Sequence, residues 1–336
     1  MADGAGYVGR ATKLAQGTLG DLSAVSVVSY FAGCGGLDIG FIGGFSFLGK
    51  SYPQSGFKVL AAYDSDPHAV AAYRANIGDH VRLADLATML PAEAPKARIL
   101  LGGFPCQEFS QCGPRKGLDS DRGSLYKAMV RYADEHRPDI VVGENVAGLK
   151  YLEGGKALKQ IERDFLAIGY RLRTWEVRAQ HFGVPQARHR LILIFVRKDL
   201  PIERLGNLVP DEKQVSAKDA IGDLLRPGRS RIPNQNQYFR AARAANGHGQ
   251  GDERTPVNGP AYTVRANSRS RVQFHYSRPR RLTVRECARL QTFPDSYVFP
   301  FHATANMRLI GNAVPPVLAH RVAFQLSRFL NAMAAN

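Results

Sequence analysis

Cys106 stands between Pro105 and Gln107 in the run LLGGFPCQEFS, directly after a short apolar stretch and two glycines. A thiolate is a nucleophile. A cysteine at the end of a buried strand, in a turn stiffened by Pro105, faces whatever binds at the strand ends. The commoner fate of cysteine is a small buried hydrophobe, and Cys34, Cys112 and Cys287, which lack such a setting, are expected to be structural. Glu144 closes another apolar run, PDIVVGENV, on the same expected rim. A buried carboxyl beside a nucleophile can stay protonated and donate to a ring nitrogen; a capping or ion-paired glutamate is the plain alternative. In QARHR, Arg188 and Arg190 occupy alternate positions on one face, as a clamp for carbonyl or phosphate oxygens requires. An exposed arginine pair would give the same pattern.

A second constellation suits a cofactor. In YFAGCGGLDIGF, Gly33, Gly35 and Gly36 let a backbone turn approach a ligand closely, and the following helix offers its amino end. A dinucleotide fingerprint would need glycine at 38, where Asp38 stands, so a cofactor without a pyrophosphate fits better. Asp64 ends the next apolar run, at the point where such sheets hold ribose hydroxyls. Asp85, in VRLADL, is placed to meet the base of an adenosyl group.

These residues need a frame. The runs AVSVVSYF (24–31), FKVLAAYD (57–64), ARILLGGF (97–104), PDIVVGEN (138–145) and RLILIFVR (190–197) read as buried strands. Between them PHAVAAYRAN, GSLYKAMVRYADEH and GKALKQIERDFLAIG have helical periodicity. The alternation predicts an α/β fold with a parallel sheet between helices and ligands at the carboxyl ends of the strands. From 201 to 282 Pro, Gly, Asn and Arg dominate, with only AYTVRA and RVQFHY strand-like. This predicts a smaller, irregular, β-containing domain, set within a larger one formed by 24–200 and 283–336. Residues 1–23 read as a loose tail without a signal peptide.

The chain of 336 residues carries a net charge of +16. Residues 226–289 hold fourteen arginines, no lysine and three acids, a local charge of +11. Arginine without lysine favours bidentate reading of phosphates and guanine edges, although a basic solvated face is the plain alternative. Four cysteines without a CxxC pair or histidines at zinc spacing point to a reducing cytoplasm, with no disulfide framework and no metal. No stretch has the roughly 20 apolar residues of a membrane helix.

In their order, FAGCGGLDIGF, GGFPCQEFS, RGSLYKAMVRY, ENV, QARHR, RRLTVRECARLQTFPD and GNAVPPVLA resemble the DNA (cytosine-5)-methyltransferase family, in particular the bacterial modification enzymes. The resemblance covers about 25–200 and 280–325. It implies a Rossmann-like S-adenosylmethionine-dependent domain, with 201–282 as target recognition domain. It implies that Phe31, Gly33, Gly35, Gly36, Leu37, Asp64, Asp85, Pro105, Leu125 and Asn312 surround S-adenosylmethionine, which leaves as S-adenosylhomocysteine. Cys106 would attack carbon 6 of a flipped-out cytosine in double-stranded DNA, with Glu144 at ring nitrogen 3, Arg190 at the carbonyl and Arg188 supporting the pocket or a phosphate. Gln107 and Ser110 belong to a mobile loop expected to close over DNA, and Arg265, Arg269 and Arg271 are candidates for base edges. The resemblance further suggests a cytoplasmic monomer, with a cognate restriction endonuclease as a functional partner.

Three features depart from the family pattern. Ala32 stands where serine is usual, Ser65 replaces a large apolar residue beside the ribose-binding acid, and 43–56 is longer than the usual link. Two other functions fit the fold. Transfer RNA methylation is disfavoured because its Cys-Phe-Thr signature is absent. A non-catalytic DNA-binding regulator is disfavoured because all four catalytic residues are present.

Overall fold

The computed structural model describes residues 24–105, 125–211, 213–224, 226–240, 253–266 and 272–334. Its centre is a seven-stranded sheet. Six of the strands are β1 (Val25–Tyr30), β4 (Phe57–Asp64), β5 (Val81–Leu83), β6 (Ile99–Gly102), β7 (Ile140–Val146) and β10 (His189–Arg197), and β8 (Tyr170–Arg178) forms one edge. The order is β5-β4-β1-β6-β7-β10-β8. The first five run parallel, whereas β10 is antiparallel to both β7 and β8. The expectation of a parallel sheet therefore holds for five strands and is corrected at β10. The reversal sets the start of β10, with Arg190, beside the end of β7.

Both faces of the sheet are covered, because neighbouring residues of a strand point to opposite sides. Val27, Leu101, Val142 and Ile192 join one apolar cluster; Val28, Leu100, Val141 and Leu193 join the other. The first face is packed by α1 (Gly36–Ile42), α2 (Pro67–Asn76) and α8 (Pro316–Ala334), the second by α3 (Tyr126–His136) and α4 (Lys156–Ala167). Local signals fix several boundaries. Asp66 caps α2 by accepting from the His68 backbone N–H, with Pro67 in the first turn.

Two segments complete the frame. Residues 43–56, the long link, form a hairpin of β2 (Phe45–Phe47) and β3 (Lys50–Tyr52). Phe45 and Tyr52 stack at 4.9 Å, and the His320 ring of α8 stands edge-on to both. The link thus covers α8. In the loop-rich segment, α5 (Ala217–Ile221) and β11 (Ala261–Tyr262) are short, and Ala217, Leu224, Val264, Val272 and Leu282 enter the same apolar cluster as the sheet. It is followed by α6 (Val284–Leu290) and α7 (Ala303–Asn312).

Candidate active site

The carboxyl ends of β4, β1, β6 and β7 form one rim. In register, Tyr30 lies beside Tyr63 and Gly102, and Gly102 lies beside Gly143. The glycine loop at 31–36, Asp64, Pro105 and Glu144 therefore sit side by side. Asp85 joins them at the end of the neighbouring strand, where the Ala84 N–H donates to the Asp64 carbonyl.

Glu144 is 8% exposed and pairs with Arg190, Nε to Oε1 at 2.8 Å. The antiparallel register sets Arg190 opposite Val146 and Glu144 opposite Ile192, two residues along on the same face. Gly103 passes beside the carboxylate, since a Cβ there would lie 3.9 Å from Glu144 Oε2. Asn145 anchors the turn: its Nδ2 donates to the Phe104 carbonyl at 3.2 Å, and its Oδ1 accepts from the Val146 N–H at 2.8 Å. The strand that carries Glu144 and the turn at Phe104 are thus tied one residue from Pro105. Sequence reasoning gave Asn145 no role; its place in ENV was the available signal. Cys106, Gln107, Ser110, Arg269 and Arg271 lie outside the described residues, as does Cys112. Cys34 and Cys287 are buried. Burial pushes the Cys34 thiol up to about 12, and that of Cys287 well above its ordinary value.

Arg188 and Arg190 have different surroundings. Arg188 is 3% exposed and its guanidinium donates to the backbone carbonyls of Val264, Gly311 and Ala313 at 3.1–3.3 Å. Burial first, and then the Arg190 charge, press its pKa well below the ordinary value, with Glu144 opposing. It works from behind the rim, fixing the carbonyls on both sides of Asn312. Gln186, on β9 (Gln186–Ala187), adds a second tie, accepting from the Val264 N–H and donating to the Leu290 carbonyl and Gln291. β9 pairs with β11, so the segment leading to Arg265 is fastened to the strand that leads into Arg188. Arg265 is half-buried and Asn312 is exposed at the end of α7.

The residues expected around the cofactor form a cradle. Phe31 and Gly33 have φ of 53° and 57°, and the Gly33 N–H donates to Asp64 Oδ2 at 2.8 Å. The other oxygen of Asp64 accepts from the Asp66 N–H. Burial raises the Asp64 pKa, against these backbone donors. A Cβ at Gly33 would meet nothing within 4 Å, whereas one at Gly35 would strike Ile77 and Tyr73, and one at Gly36 the Val314 carbonyl. The loop is thus packed from beneath and open above, as a bound nucleoside requires. Leu37 is buried under the loop, Leu125 is half-buried before α3, and exposed Asp85 accepts from the Ala87 N–H at 3.0 Å.

A family model described as C-5 cytosine-specific DNA methylase matches residues 25–328. The chain belongs to that family. Membership makes it a DNA cytosine-5 methyltransferase and implies S-adenosylmethionine as methyl donor and DNA as substrate. The chain is similar to the type II methyltransferase M.NgoFVII of Neisseria gonorrhoeae, 32% identical over 321 residues that span 86% of this chain and 83% of the relative. It is also similar to the type II methyltransferase M.BspRI of Lysinibacillus sphaericus, 32% identical over 356 residues, 90% and 82% of the two chains. The solved methyltransferase EhMeth of Entamoeba histolytica shares the fold, with a TM-score of 0.69 over 92% of this chain and 98% of that one at 13% identity.

The arginine-rich segment needs a correction. Arg285 is fully buried and donates to the carbonyls of Pro233, Pro294 and Tyr297. Arg289 pairs with Asp223 and Asp295, Arg280 grips Glu286 with two nitrogens, and Arg281 stacks on Phe274. Among the described residues, these four arginines hold the protein together. Arg226, Arg229, Arg231, Arg240 and Arg254 are not enclosed in this way; all five are exposed.

Proposed function

We propose that the protein methylates one cytosine within a short double-stranded DNA sequence through a covalent Cys106 adduct, protecting host DNA in a restriction-modification system. Residues 24–200 and 283–336 act as catalytic part and 201–282 as target recognition part. The observation that carries this reading is the Glu144–Arg190 pair at the rim, tied through Asn145 to the turn that ends in Pro105. The next residue in the chain is Cys106.

The flipped cytosine lies over this pair, at a cost of a few kcal/mol for unstacking that DNA contacts offset. Cys106 Sγ bonds to carbon 6, while Glu144, held in place by Arg190, holds ring nitrogen 3 and passes a proton to it, so negative charge does not build up on the ring. Arg190 donates to the base carbonyl, and Arg188 holds the frame behind it. S-adenosylmethionine, when bound, would supply the electrophilic methyl group for carbon 5, with S-adenosylhomocysteine as its leaving group. Loss of the carbon-5 proton to solvent, loss of the thiolate and return of the ring nitrogen 3 proton to Glu144 would then leave neutral 5-methylcytosine. Phe31, Gly33, Gly35, Gly36 and Leu37 would hold the cofactor over the loop, with Asp64 at its ribose, Asp85 at its adenine, and Pro105, Leu125 and Asn312 completing the pocket. Arg265 and the exposed arginines would meet DNA.

The test is bisulfite sequencing of plasmid from a host without cytosine methylases, expressing the wild type or Cys106→Ser. Protected cytosines confined to one motif, with the wild type only, are expected. Protection that persists in Cys106→Ser would remove the nucleophile from this scheme. No protection by a folded wild type would point to an RNA substrate.

A further inference from the structure

Asp38 is the residue that denies the glycine loop a dinucleotide fingerprint, and its surroundings are unusual for a carboxylate. It is 0% exposed in the first turn of α1, and both oxygens are engaged: Oδ1 accepts from Ser29 Oγ and Oδ2 from the Tyr73 hydroxyl, each at 2.7 Å. The Tyr73 oxygen continues to His80 Nε2 at 3.0 Å. An enclosed carboxylate carries a large desolvation cost, and apolar residues of similar volume commonly stabilise such a site as well or better. Stability alone therefore does not account for Asp38.

Its position does. Ser29 is on β1, one residue before its end, and Asp38 is in the first turn of α1, so their hydrogen bond closes the base of the loop at 30–37. The Tyr73 ring packs beneath Gly35, where a Cβ would come within 2.9 Å of it. Beyond Tyr73, His80 directly precedes β5, whose far end leads to Asp85. One hydrogen-bonded line thus runs from the stem of the glycine loop to the foot of the strand at the other end of the cradle. We infer that Asp38 is a positioning residue for the methyl donor: through Ser29 and Tyr73 it holds the glycine loop in the open, cofactor-accepting geometry. The inference rests on the reading of the 31–36 loop as the cofactor cradle. Burial pushes the Asp38 carboxyl up to about 6, with the hydrogen bonds from the two hydroxyls opposing that rise.

Asp38→Asn, Ser29→Ala and Tyr73→Phe in the full chain test this. S-adenosylhomocysteine affinity is measured by calorimetry, KM for S-adenosylmethionine and kcat by methyl transfer to DNA, and folding by thermal melts. Asp38→Asn is expected to weaken S-adenosylhomocysteine binding and raise KM by about tenfold, the scale of one charge-assisted hydrogen bond, with kcat lowered far less. Ser29→Ala and Tyr73→Phe, which remove single donors, are expected to show about threefold shifts in the same direction. Should Asp38→Asn fail to fold, these two carry the test. Affinity and KM unchanged in variants that merely melt lower would make Asp38 a structural residue and overturn the inference, leaving the cradle intact. A folded wild type that binds no S-adenosylhomocysteine would overturn the cradle itself, and the inference with it.

Discussion

The sheet and the loop-rich segment place their polar residues by different means. In the sheet, backbone ladders set the register and leave side chains at the strand ends free to act. Glu144 and Arg190 meet because β7 and β10 pair, and Asp64 lies beside the glycine loop because β4 and β1 pair. In the loop-rich segment almost no ladder exists among the described residues, and side chains hold the backbone. Asn234 ties to Phe299, Gln237 to Phe301, Gln273 to Tyr262, and Arg285 to three carbonyls. Buried backbone groups need partners in either case. The same residue types therefore stand at the strand ends in one region and hold the backbone together in the other.

Substitutions can break or sharpen this contrast. The largest effect is expected in the sheet, on rate. Glu144→Gln removes the proposed proton donor without moving β7, so single-turnover methyl transfer should slow by about 10²–10⁴-fold while the fold persists. A loss below about tenfold would remove Glu144 from the chemistry. Next, Arg285→Met leaves three carbonyls in the loop-rich part without their donor. It should lower stability by about 3–5 kcal/mol in urea unfolding. A loss under about 1 kcal/mol would mean that α6 stands without it.

A smaller effect separates the two kinds of arginine. Replacing exposed Arg226, Arg229 and Arg231 by Ala should leave the melting temperature nearly unchanged and flatten the salt dependence of DNA binding, by about one unit of slope for each phosphate no longer neutralised. An unchanged slope would place the DNA elsewhere. The smallest effect concerns pH. Burial pushes the enclosed His275 imidazole down to about 4, from its usual 6.5. The unfolded chain thus binds more protons there, and stability from this group, complete above pH 6.5, is lost as pH falls toward 4. His275→Asn should make the melting temperature less sensitive to acid across that window. Buried Asp38 has the opposite sign but is common to both proteins and cancels in the difference. Parallel profiles would assign acid sensitivity to other groups.

Much of the frame was legible from local signals. The runs at 57–64 and 67–76 coincide with β4 and α2, because an unbroken buried run and an Asp-Pro helix start are encoded in neighbouring residues. β8 carries no such signal: YRLRTWEVR interleaves arginines and leaves many of its residues toward solvent at the sheet edge, so it lacks the apolar run of a buried strand. The reversal of β10 was equally hidden, since a strand buried on both faces reads the same in either direction. The 43–56 link carried hairpin residues whose purpose, covering α8, depends on a helix far along the chain.

The sequence by itself determined the chemistry available: a cysteine after Pro105, a glutamate at the end of an apolar run, a glycine loop, two arginines at alternate positions, and the motif order that marks the family. Tertiary structure alone decided how those groups are placed to act. Arg188 and Arg190 are equivalent in QARHR, yet one is enclosed by backbone carbonyls and the other pairs with Glu144. Arg285 and Arg231 contribute equally to the charge count, yet one is buried and the other exposed. Charge is a property of a residue type, whereas burial and hydrogen-bond partners come from chain segments that meet only after folding.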